Sequence, residues 1–299
     1  MHAYLASPDA IATFLALVYG LNICVCLAWG VILRRARVGA SAASALFTAV
    51  GTTCMFIPLL SLFLLSLIYG EPHAFVEFLF SWLRVDLRVL VTFLAAPIPP
   101  IVAFVVYIEV AKGLNMLEVS KLKQVVGLEG FTSLKALRLL GVGYAAGVTA
   151  NALVAIGEEI GWRSYLTPAL INHVGLAVAI VAVGIVWGLW HVPINLAVKP
   201  LIGKALPWVT LRLMLLSSVV SFIVFSYPLY LLLAVSHSVL PPAAFHGTIN
   251  ALWRVPQFVT RVSDERRRRD VAKAMLVSLV AWGVAIAVTL GLVSIIDLI

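Results

Sequence analysis

Two acids, two histidines and an asparagine sit inside long apolar stretches of this chain. A polar or ionisable group in such a place costs at least a few kcal/mol unless something uses it. The stretch GEEIGWRSYL carries Glu158, Glu159 and Arg163. On a helix Glu159 and Arg163 are one turn apart and face each other, with the acid on the N-terminal side as an ion pair prefers. Glu158 points about 100° away from Glu159. One carboxylate can therefore be neutralised by the arginine while the other faces a cavity. VWGLWHVPIN puts Trp187 and His191 one turn apart on one face, with Pro193 following. FHGTIN does the same for His246 and Asn250.

A buried carboxylate can act as general base on water. Imidazole and side-chain amide groups can donate hydrogen bonds to a developing oxyanion. Glu, His and His are also legitimate zinc ligands. The HExxH spacing is absent, however, and no cysteine joins the set, so a zinc reading stays possible without its usual motif. Ser164 has no base beside it, and no Ser–His–Asp set is preferable. Plainer readings stand beside these: Glu159 with Arg163 as a structural ion pair between helices, and His191 as an interfacial or packing residue.

The elements that must carry these groups are membrane spans. Of 299 residues, 63% are hydrophobic and 11% charged, with a mean hydropathy of +1.08. A soluble domain carries roughly a quarter charged residues, so water is not the only solvent here. Spans must be helices or closed barrels, and the apolar runs are continuous rather than alternating, which selects helices. Crossing a core about 30 Å thick takes roughly 20 residues. Eight spans are expected near 11–33, 45–69, 89–110, 142–170, 175–197, 207–233, 238–253 and 273–297. The seventh is short and follows Pro241 and Pro242, as a segment entering from a loop that dips into the membrane would.

The expectation is thus an all-α polytopic bundle with a polar intramembrane cavity, one integral membrane domain over 1–299, with its chemistry in 157–250. Amphipathic stretches at 72–88 and 116–139 are expected at the interface, the second as a basic surface helix. The opening MHAYLASPDA lacks the basic start of a cleaved signal peptide, so the first apolar segment is expected to stay as an anchor. Cys24, Cys26 and Cys54 all fall in spans and read as packing residues rather than a disulfide framework.

With eight alternating spans, one set of loops holds Arg34, Arg35, Arg37, Lys112, Lys121, Lys123, Lys135, Arg138, Lys199 and Lys204. Arg254, Arg261, the run Arg266 to Arg269 and Lys273 fall on the same side. The other set holds Arg84, Arg88 and Arg163, with Arg212 inside a span. The positive-inside rule then puts the rich side in the cytoplasm and both termini outside. Topology and anionic lipid account for the net charge of +8, and the arginine run at a span boundary is not read as a nucleic-acid site.

In order and type the three motifs resemble those of the CPBP intramembrane proteases, the Abi or CAAX-protease family. Its EExxxR motif is matched by Glu158, Glu159 and Arg163. FxxxH is matched by His191, with Trp187 where phenylalanine is usual, and HxxxN by His246 and Asn250. The resemblance implies a glutamic peptidase without a required metal. Glu158 would activate water, His191 would help hold it, and His246 and Asn250 would form the oxyanion site. Glu159 with Arg163 would fix the helix and charge state around Glu158, and Trp187 would keep an aromatic wall. The expected substrate is a peptide or lipidated protein: a CAAX-type prenylated C-terminus, or a bacterial peptide or membrane-protein precursor. Membrane lipids are the other expected partners, nucleic acid is not, and the oligomeric state is not readable. The protein would be multi-pass in the membrane, the cell membrane if the source is prokaryotic.

Two other classes remain: a non-enzymatic scaffold that keeps the motifs as buried polar glue, and a transporter using the acidic pair. Transporters often show paired halves or broken helices, and no internal repeat is found. The simple ladder of spans also carries a strain. If the fourth began at Gly141, Glu158 would lie about 25 Å from its cytoplasmic end and His191 only about 10 Å from the same side. A fourth helix whose first turns lie among the headgroups, and which runs on to about Leu170, removes the mismatch. Gly143 and Gly147 offer a small-xxx-small face for close helix contact there.

Overall fold

A computed structural model describes residues 6–36, 40–127, 132–197, 208–263 and 267–298. Arg37, Lys199, Lys204, Arg266 and the side chains of Arg212 and Arg267 lie outside the described set. The described chain is helical, as a backbone with no water to pair with requires. Its one extended pairing among the described residues is an antiparallel bridge between Leu117 and Thr260.

Among the described residues, six helices are long and apolar enough to cross a membrane: Pro8–Arg35, Thr48–Ile68, Leu87–Gly113, Leu176–Leu196, Leu215–Ser236 and Arg268–Ile296. Leu134–Gly147 and Ala150–Val174 pass the same test only as a pair, bent by 49°, and make a seventh span if the pair crosses as one. The seventh expected span is corrected: the 238–253 segment is a 13-residue helix, Leu240–Leu252. At 1.5 Å per residue it is about 20 Å long, too short for the hydrocarbon core. The chain is a multi-pass integral membrane protein, and residues such as Leu27, Phe80, Val142 and Leu153 stand exposed on its surface.

The helices within the two stretches expected at the interface are shorter than those stretches. The 72–88 stretch is a helix, Pro72–Trp82, followed by a break. Asp86 then caps the next helix by accepting from Val89 N–H at 2.8 Å, so Arg88 belongs to that helix. The 116–139 stretch is not one helix either. Val119–Val126 ends at Gly127, whose φ of +85° suits glycine, and a new helix starts at Leu134 behind the Ser133 cap. Residues 128–131 lie outside the described set.

The chain divides into two compact units. The first comprises Met1–Leu83 and Ile156–Ile223. In it the Pro8–Ala36 helix packs on Ile57–Ile68 and Val192–Ala197. Ile57–Ile68 packs in turn on Ile160–Leu166, and Thr167–Val174 folds back on Leu176–Trp190. That reversal turns on Gly175, at φ +77°. Glycines let these helices touch. A Cβ on Gly157 would lie 2.5 Å from the Met55 carbonyl oxygen, and one on Gly161 would overlap Pro58. One on Gly188 would lie 2.7 Å from Val219 Cα, with Gly184 equally crowded by Ile223.

The second unit comprises Arg84–Ala155 and Val224–Ile299. Arg267–Ile296 lies along Ile98–Gly113, and Leu240–Leu252 is wrapped by Leu134–Gly147, Leu87–Ala95 and Ile98–Gly113. The expected small face is present: a Cβ on Gly143 would meet Leu252, and one on Gly147 would overlap Thr248. The ends of the 13-residue helix are tied to opposite ends of the Leu87–Gly113 span. Ser238 Oγ donates to the Arg84 carbonyl at 3.0 Å. Beyond the helix, Glu118 N–H donates to Val259 and Arg261 N–H to Met116.

Candidate active site

Glu158 and Glu159 end a regular helix, Ala150–Glu159, and the next seven residues, Ile160–Leu166, wind as a π-helix. Pro168 supplies the reason. It has no N–H for the Ser164 carbonyl, and its ring crowds that oxygen in an α-turn. The ladder widens instead, and Thr167 N–H donates five residues back, to Trp162. Thr167 Oγ1 donates to the same carbonyl at 2.7 Å. Such turns recur at functional sites.

All seven π-helical residues are buried, Arg163 among them at 1% exposure. That corrects its placement among loop residues. The ion pair expected from spacing is formed, with Arg163 Nε 3.3 Å from Glu159 Oε2. The guanidinium also lies over the Trp187 ring, 3.8 Å from its centroid.

Glu158 is 1% exposed. Its Oε2 meets two indoles. Trp162 Nε1–H donates at 3.3 Å and Trp187 Nε1–H at 2.5 Å. The contact with Trp187 also relieves the depth mismatch: Glu158 is level with the residue one turn before His191, because the fourth helix runs on to Val174.

Pro193 has no N–H, so the Leu176–Trp190 helix stops and His191 becomes its C-cap. The His191 backbone N–H turns to Gly188, and the ring takes up the carbonyl one turn back: Nδ1 lies 2.9 Å from Trp187 O. A carbonyl only accepts, so Nδ1 carries a proton here. The half-buried imidazole stacks on Phe222 at 4.3 Å and 18°, and meets Trp190 edge-on at 4.9 Å. Nearby carbonyls are held from the first helix. Tyr19 Oη donates to Val186 at 2.7 Å, and buried Asn22 donates Nδ2–H to Trp190 at 2.6 Å.

His246 and Asn250 lie in the second unit, on one face of the Leu240–Leu252 helix. His246 is buried and Asn250 exposed. Asn151 Nδ2 donates to the Gly247 carbonyl at 3.0 Å, fixing the helix between the two. Within the first unit, then, Glu158, Glu159, Arg163, Trp187 and His191 come together, and within the second His246 and Asn250 share one helix. Asn22, Trp162 and Asn151 also serve the two units and belong to none of the three spaced motifs. Asn22 and Asn151 carried a usable signal, since each is a side-chain amide inside an apolar run; a tryptophan there does not stand out.

A helical, multi-pass membrane protein with a buried acid–indole–histidine cluster defines the class. Residues 141–252 match the profile of the family described as type II CAAX prenyl endopeptidase Rce1-like. The family resemblance read from the three motifs is borne out over that region. The match indicates a protease, hence a hydrolase, and supports a CAAX-type intramembrane endopeptidase in general terms. No curated protein matches the chain.

Proposed function

We propose that the chain hydrolyses a peptide bond with water activated by Glu158. The observation that carries this reading is a buried carboxylate held at one oxygen by two indole N–H groups, level with a histidine whose Nδ1 is held by a backbone carbonyl. Glu158 Oε1 takes a proton from water as the water oxygen bonds to the scissile carbonyl carbon. His191 Nε2 accepts the hydrogen bond that orients that water. The carbonyl electron pair moves onto oxygen, and the family resemblance assigns the donors to that oxygen to His246 and Asn250. Collapse breaks the C–N bond, and the proton on Glu158 passes to the leaving amine. Glu159 and Arg163 neutralise each other, so the charge left to react is that of Glu158. The substrate class is a prenylated CAAX-type C-terminus or a bacterial peptide or membrane-protein precursor.

The test is cleavage of a reporter panel by the purified, reconstituted protein, with product masses compared across variants. Glu158→Ala and Glu158→Gln abolish product in protein that remains folded, and His191→Ala strongly reduces it. Full activity in Glu158→Gln overturns the mechanism. A chelator titration of the same assay leaves the rate unchanged, and loss restored by added zinc overturns the metal-free reading. Wild type that cleaves nothing while binding a panel member favours the scaffold class.

A further inference from the structure

Three interactions converge on Trp187. Its Nε1–H donates to Glu158 Oε2, its ring face lies under Arg163, and its carbonyl sets the proton position of His191. Among the described residues both donors to Glu158 go to Oε2, and none goes to Oε1. The two carboxylate oxygens are therefore inequivalent. A phenyl ring at this position would keep the packing on Phe222, which lies 4.3 Å away, and the face beneath Arg163. It would lose the N–H.

We infer that Trp187 is a positioning residue whose indole N–H, together with that of Trp162, pins Oε2 of Glu158 and thereby selects Oε1 as the oxygen that receives the proton from water. The inference rests on the proposed hydrolytic reading. A carboxylate with one pinned oxygen cannot rotate about its last bond without breaking charge-assisted hydrogen bonds, each stronger than a neutral one. Pinning therefore removes the orientational freedom that an aliphatic acid otherwise loses on the way to the transition state. Since His191 is fixed by the carbonyl of the same residue, base and water-orienting nitrogen are referenced to one rigid side chain and its backbone.

The deciding variants are Trp187→Phe and Trp162→Phe, measured in the full-length reconstituted protein. Each is expected to lower kcat roughly tenfold, the scale of one hydrogen bond to a charged group, with KM within about twofold of wild type. An independent readout needs no substrate: the infrared carboxylate stretch assigned to Glu158 by its loss in Glu158→Gln. It is expected to shift in Trp187→Phe and again in the double variant. A wild-type kcat in Trp187→Phe overturns the inference, and so does an unmoved carboxylate band. If Glu158→Gln is inactive while Trp187→Phe matches wild type, only the positioning role fails. If Glu158→Gln is active, the hydrolytic reading fails whatever the tryptophan variants do. Should Trp187→Phe not fold, Trp162→Phe decides by the same two measurements.

Discussion

Asn22 donates its side-chain N–H to the carbonyl of Trp190, 168 residues further along the chain, at 2.6 Å. The two residues join the first helix to the end of the helix that carries His191. Asn22 is 1% exposed, and its Oδ1 accepts from the Cys26 thiol at 3.5 Å. The amide thus supplies a donor to the carbonyl beside His191.

Replacing Asn22 by leucine keeps the volume and removes the donor. Leaving a buried carbonyl unpaired costs about 1–3 kcal/mol. The variant is expected to lower the thermal unfolding midpoint in detergent and to reduce kcat in the folded fraction, because the turn holding His191 is loosened. An unchanged midpoint would show that Trp190 finds another donor.

The buried pair Glu159–Arg163 gives a sharper contrast. Its side chains are 0% and 1% exposed. Glu159→Gln leaves an arginine charge buried without its carboxylate, which costs about 3–5 kcal/mol. Removing both charges, as in Glu159→Leu with Arg163→Met, is expected to restore most of the lost stability, since an apolar pair of similar volume is often neutral or better. Unfolding midpoints of the two singles and the double check this. A double variant as unstable as the worse single would mean that packing on Trp187, not charge, sets the cost.

Small residues were only half legible in the sequence. Gly143 and Gly147 were read as a contact face, and they are one. Gly157 and Gly161 bracket the acidic pair at the same spacing, and Gly184 and Gly188 precede His191 in the same way, yet neither pair stood out beside the charged residues. Periodicity located the helices because lipid demands long apolar runs. The π-turn was not legible: it depends on a donor missing at Pro168 and a close approach to Pro58, and that approach is between residues distant in sequence. The grip of Trp162 and Trp187 on Glu158 was hidden likewise, since an indole in an apolar segment looks like packing until its N–H is placed.

The glycines supply a signed prediction. Gly157→Ala has no room against the Met55 carbonyl and Phe56. Overpacking of this kind costs about 1–3 kcal/mol. Gly20→Ala, also in a helix but with nothing within 4 Å of its Cβ, is expected to gain about 0.5–1 kcal/mol from the lost flexibility of glycine. The two midpoints should move in opposite directions, and a fall in both would mean that open space at Gly20 is needed for something other than packing.

The 13-residue helix bears on topology, although by length it is no span. Ser238 is tied to Arg84 at one end of Leu87–Gly113, and Val259 and Arg261 pair with Glu118 and Met116 at the other. From Ser238 to Val259 the chain advances about 30 Å at helical rise, the thickness of the hydrocarbon core. Leu240–Leu252 and the short Arg254–Val259 helix cover that distance end to end, and the first is buried among three neighbours rather than facing lipid. A crossing made this way needs no membrane-length helix. It would keep Lys112, Lys121 and Arg261 on one side, where a basic surface meets anionic lipid. Single cysteines introduced at Arg84 and Arg261, in a chain whose Cys24, Cys26 and Cys54 are replaced, should therefore react with an impermeant maleimide from opposite faces of sealed vesicles, and one at Lys121 should follow Arg261. Labelling of Arg84 and Arg261 positions from the same face would mean that the segment turns back.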